Sequence, residues 1–75
     1  MNFKNMKIEI NQDQPLDEVL IELKRLGFYV GLVESGDKWI SARAETKLIV
    51  SFEDEINLPD SHWDTTTLVE LKEMK

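Results

Sequence analysis

Met6, Ile8 and Ile10 alternate with Lys7, Glu9 and Asn11, the two-residue period of a strand with one buried face. The period then changes. Leu16, Val19, Leu20, Leu23 and Leu26 fall within about 120° of one another at 100° per residue, which predicts an amphipathic helix. Pro15 suits its first turn, Asp17 and Glu18 sit where the helix dipole favours negative charge, and Gly27 is the expected terminator. Ile21 falls on the opposite face, beside Asp17, Glu18 and Arg25.

Three runs rich in Val, Ile and aromatic residues follow, at Phe28 to Glu34, Trp39 to Arg43 and Lys47 to Glu53, and each reads as a strand. Gly36-Asp37 is a turn signal between the first two. A hairpin there sets Val33 against Ile40 and Gly31 against Ala42, a floor of small side chains under the helix, with Val30, Leu32 and Trp39 on the other face. Glu45 and Thr46 carry no Gly or Asn to fix the second turn. A three-residue loop puts Leu48, Val50 and Phe52 on the helix side and leaves Ile49 and Ser51 outside, and this is the register expected; a two-residue loop reverses it.

Asn57, Pro59, Asp60 and Ser61 mark a loop. Beyond it, Asp64 is suited to cap a helix from Thr65 to Met74, while the alternation of Thr67, Val69 and Leu71 with Leu68, Glu70 and Lys72 favours a terminal strand. The expected fold is therefore α+β, a single domain over residues 1–75. An antiparallel sheet of four to five strands carries one helix on one face, in the order β-α-β-β-β followed by a strand or helix.

Charge changes this picture. The chain has a net charge of −6, and the stretch from Leu48 to Leu71 contains no Lys or Arg while holding Glu53, Asp54, Glu55, Asp60, Asp64 and Glu70. Charge concentrated in one segment builds a local field that selects cationic partners. The same excess of acid argues against direct nucleic-acid binding and against anionic membranes, both of which need clustered bases. No run approaches the roughly 18 apolar residues of a membrane span. The alternating start from Met1 to Ile10 lacks the apolar core of an export signal, so a cytoplasmic location is expected.

The chain has no Cys, which removes disulfides, thiolate metal sites and Cys nucleophiles. Asp60-Ser61-His62-Trp63-Asp64 places the only His beside a Ser and two carboxylates. Adjacent residues in a loop point apart, whereas a catalytic triad converges from distant segments, so no catalytic residue is assigned. Asp60, His62 and Asp64 share one side of an extended segment, but they lack a calcium-loop pattern and read as a solvated loop, not a metal site. No cofactor is expected. Trp39 and Trp63 are large aromatics suited to anchoring a partner, with a neighbouring acidic rim to steer it. The expected function is a non-enzymatic module that binds a basic protein through Glu53, Asp54, Glu55, Asp60, Trp63, Asp64 and Trp39. An inhibitor or regulator of a nucleic-acid-handling protein is one form of it. The alternative is a small homo-oligomeric accessory protein, with Val30, Leu32, Trp39 and Ile49 covered by a second copy.

Overall fold

The computed structural model describes residues 4–54 and 63–74. It shows a small α+β fold built on a five-stranded mixed sheet. The elements run β1 (Met6–Glu9), α1 (Leu16–Arg25), β2 (Tyr29–Val30), β3 (Trp39–Ala42), β4 (Leu48–Phe52), β5 (Asp64–Thr65) and α2 (Leu68–Glu73). Across the sheet the order is β2-β4-β3-β1-β5. β3 pairs antiparallel with both β1 and β4, while β2 runs parallel to β4 and β5 parallel to β1. Four strands thus share one direction and β3 alone opposes them, so the expected antiparallel sheet is instead mixed.

Helix α1 forms where the apolar period predicts it. Val19, Leu23 and Leu26 are buried, Leu16 and Leu20 pack at the margin, and Ile21 is 61% exposed on the far side. Its end is a Schellman arrangement: Gly27, at φ 107°, donates to the Lys24 carbonyl at 3.0 Å, and Phe28 donates to the Leu23 carbonyl at 3.0 Å. Phe28 and Leu23 are themselves both buried, the apolar contact that usually accompanies this motif.

The expected hairpin at Gly36-Asp37 does not form. β4 inserts between β2 and β3, taking hydrogen bonds from both sides: Gly31 donates to the Ile49 carbonyl at 2.8 Å, Ser51 donates to the Leu32 carbonyl at 2.9 Å, and Lys38 donates to the Phe52 carbonyl at 3.1 Å. The physical reason lies in the apolar run Leu48-Ile49-Val50, which suits a central strand, while the connection after Val30 is long enough to pass the end of β4. Gly36, at φ 100°, lets that connection turn. Gly31 therefore faces Val50 and Leu48 instead of flooring the helix.

The register of β3 against β4 is also the reverse of the one expected. Ile40 pairs with Ser51 and Ala42 with Ile49. Ile49 is fully buried, whereas Leu48 is exposed and Val50 and Phe52 are half-buried. Lys47 causes the shift. It adopts φ 60° and donates to the Arg43 carbonyl at 2.8 Å, while Arg43 donates to the Leu48 carbonyl at 3.1 Å. One residue is thereby consumed in a bulge, and every later side chain of β4 changes face.

The end of the chain holds a short strand and then a helix, not one or the other. Thr67 caps α2, accepting from the Glu70 N–H at 3.2 Å while the Glu70 carboxylate accepts from the Thr67 N–H at 3.2 Å. Leu68 and Leu71 bury against the same sheet face as α1. Two longer links fix α2 in place: Arg25 donates to the Leu71 carbonyl at 2.8 Å, and Gln14 donates to the Glu9 carbonyl at 2.6 Å while accepting from the Leu68 N–H at 3.1 Å. The core lies between these helices and Met6, Ile8, Ile40, Ala42 and Ile49 of the sheet.

Candidate functional site

Strand direction decides where each charge goes. Because β1, β2 and β4 run one way and α1 returns the other way, the exits of those strands and the start of α1 share one end of the molecule. Glu9, Trp39 and Phe52 form a row across three neighbouring strands at that end. Glu53 and Asp54 follow immediately and are exposed. Asp13 lies in the turn closed between Asn11 and Gln14, and Asp17 and Glu18 begin α1. The connection from β2 brings Glu34 and Asp37: the Glu34 N–H donates to Ser51 Oγ at 2.8 Å, and Ser51 Oγ donates to the Asp37 carboxylate at 2.6 Å. Lys38 lies among these acids, and Lys7 of β1 reaches the Trp39 ring from two residues before Glu9.

The opposite end collects bases. Lys24 and Arg25 close α1, and Arg43 and Lys47 flank the bulged turn, against Glu22, Glu45 and Asp64. Arg25 is held by Glu22 at 2.8 Å. The molecule is therefore polarised along its strands, acidic where three parallel strands end and basic where they begin.

This geometry divides the residues singled out from the sequence. Glu53, Asp54 and Trp39 come together at the acidic end. Trp63 and Asp64 do not join them, because Asp64 pairs with Met6, which pairs with Ala42, three residues or about 10 Å along β3 from Trp39. Glu55, Asp60 and His62 lie outside the described residues. The two tryptophans, both half-buried, sit beside cations: Lys7 Nζ is 5.8 Å from the Trp39 ring centre, and the Arg43 guanidinium is 5.5 Å from that of Trp63.

Trp39 occupies the sheet face away from the helices, with Ser41, Val50 and Phe52. Ser41, Val50 and Phe52, with Arg43, Thr46 and Leu48, line a shallow hollow of about 230 Å³ there. The other residues assigned to that face separate from it: Ile49 is core, Val30 lies on β2, the edge strand, and Leu32 lies two residues beyond it.

Sequence reasoning missed Glu9, Asp13, Asp17, Glu18, Glu34 and Asp37 as members of the acidic end. The signal was topological. In a strand-helix-strand unit the strand exit and the helix start share one end, so acids spread from residue 9 to residue 54 become neighbours. Among the described residues, no three His, Asp or Glu side chains are placed to hold a metal ion, and no helix is long and apolar enough to cross a membrane. The acids are thus distributed as a field and not gathered into a chelating pocket. The chain matches no protein-family model, no curated protein and no solved structure.

Proposed function

We propose that this protein is a non-enzymatic interaction module that receives a basic protein partner at its acidic end. The observation that supports the reading is the polarity of the fold: Glu9, Asp13, Asp37, Glu53 and Asp54 converge from four separate segments around the Trp39 row, with Lys38 and Lys7, whose ammonium lies over the Trp39 ring, as the local counterweights. Spread carboxylates at one end steer a cationic surface during approach, and a half-buried tryptophan beside them supplies apolar contact once it arrives. In its more specific form, the acidic end occupies a groove that otherwise receives phosphates, which makes the protein an inhibitor or regulator of a nucleic-acid-handling partner.

Titration of the isotope-labelled protein with a decalysine peptide, followed residue by residue by NMR, tests the first step. Shifts are expected at Glu9, Asp13, Asp37, Trp39, Glu53 and Asp54, weakening as salt rises from low to physiological strength, where exposed charges are screened beyond roughly 8 Å. Reversing Glu53 and Asp54 to Lys should reduce the response without altering the fold. Shifts centred on Arg43 to Lys47, or insensitive to salt and to both reversals, would refute the reading.

A further inference from the structure

β2 forms one edge of the sheet, with β4 as its one neighbour among the described strands. Tyr29 donates to the Lys47 carbonyl at 2.7 Å and Gly31 to the Ile49 carbonyl at 2.8 Å, so both of these residues turn their backbone toward β4. In a parallel ladder the residue between them turns the other way, which aims the Val30 N–H and C=O out of the sheet. The side chains around this backbone are apolar and open: Tyr29 is 65% exposed, Leu32 80%, Val30 and Leu48 42% each. Natural edge strands usually carry charge, proline or a cover at such a place. This one carries neither charge nor proline at residues 29 to 32, and no strand of the described residues pairs with its outer side.

We infer that β2 pairs antiparallel with β2 of a second copy of this chain, centred on Val30. Two observations select that occupant. With Val30 opposite Val30, the flanking pair is Tyr29 against Gly31, and Gly31 sets no side chain of its own against the facing ring; a β-carbon there would meet the Ile49 carbonyl at 3.0 Å, beside Leu48 and Val50. Charge then fixes the orientation. β2 begins at the basic end of the molecule and finishes at the acidic end, so an antiparallel partner brings its basic end, with Lys24 exposed there, toward Glu34 and Asp37. A parallel arrangement would set acid beside acid. The inference is independent of the basic partner proposed above, since it uses the edge backbone and not the Trp39 row.

The contact is small. Two hydrogen bonds and a strip of four side chains fall well below the roughly 1,200 Å² at which stable interfaces begin. Association is therefore expected on the order of 0.1 to 1 mM. Sedimentation velocity across that range should show a concentration-dependent dimer. Val30→Pro, which removes the outward N–H at an edge position that tolerates proline, should shift the dissociation constant at least tenfold while the circular dichroism stays native. Tyr29→Lys provides the same test without changing the backbone. Glu34→Lys lowers the net charge and yet should weaken the dimer several-fold, because it removes the local match. A chain that remains monomeric throughout, a dimer indifferent to Val30→Pro and Tyr29→Lys, or one that tightens in Glu34→Lys would overturn the inference.

Discussion

The bulge at Lys47 decides which side chains of β4 are core, and paired truncations at Ile49 and Val50 measure it. Ile49 is completely buried and Val50 is half-buried on the other face. Ile49→Ala removes three carbons at about 0.8 kcal/mol each and leaves a cavity that the neighbouring Ala42 side chain is too short to refill. Together these terms come to about 3 to 4 kcal/mol. Val50→Ala removes two carbons that keep part of their hydration, about 1 kcal/mol or less. For a domain of this size each kcal/mol moves Tm by roughly 4–8 °C, so the two variants should differ by about 10–20 °C. A total stability of about 3–5 kcal/mol means that Ile49→Ala leaves a substantial unfolded population at 25 °C. Ile49→Val, at about 1 kcal/mol, supplies a measurable intermediate step. Urea and thermal unfolding followed by circular dichroism give all three values. Under the unbulged three-residue loop the order inverts, and a Val50→Ala cost equal to or greater than that of Ile49→Ala would refute the register.

Two local devices make further predictions. Lys47→Gly should raise Tm by about 2–4 °C, because the left-handed conformation costs a side-chain-bearing residue about 1 kcal/mol and glycine's greater unfolded entropy returns only part of it. A fall in Tm would count against the bulge. Thr67→Ala should cost about 1 kcal/mol by leaving the Glu70 N–H without its acceptor, and amide exchange should rise first in α2; unchanged exchange there would show that the cap does not hold the helix.

The elements that were legible in the sequence are those governed by local rules. β1 and α1 follow from period alone, and the end of α1 follows from Gly27 because only the residue after the helix must take positive φ. The bulge was not legible for the matching reason. Its left-handed position is filled by Lys47 and not by glycine or asparagine, so the one residue that sets the β4 register carries no compositional mark. The helix at the chain terminus did carry one: Thr67 and Glu70 are a capping box, followed by Leu68 and Leu71 on one helical face. The period-two alternation of Thr67, Val69 and Leu71 competes with it over the same residues. With a six-residue helix the cap, and not the period, is the more informative signal.

The acidic site illustrates a different limit. Counting charge along the chain groups Glu53 with Asp64, yet β5 begins beside Met6 at the opposite end of β1, so part of that segment faces away from the rest. Counting charge by strand exit groups Glu9, Asp13, Glu34, Asp37, Glu53 and Asp54, which are up to 45 residues apart. The second grouping needs only the direction of each strand, and an error in pairing partners leaves it intact: inserting β4 between β2 and β3 changes every neighbour of β2 and no strand's direction. Surface polarity is therefore more robust to topology errors than the list of touching residues. Of the acids in the stretch from Leu48 to Leu71, Glu53 and Asp54 stand at the strand exits, whereas Asp64 stands beside Met6 where β1 begins.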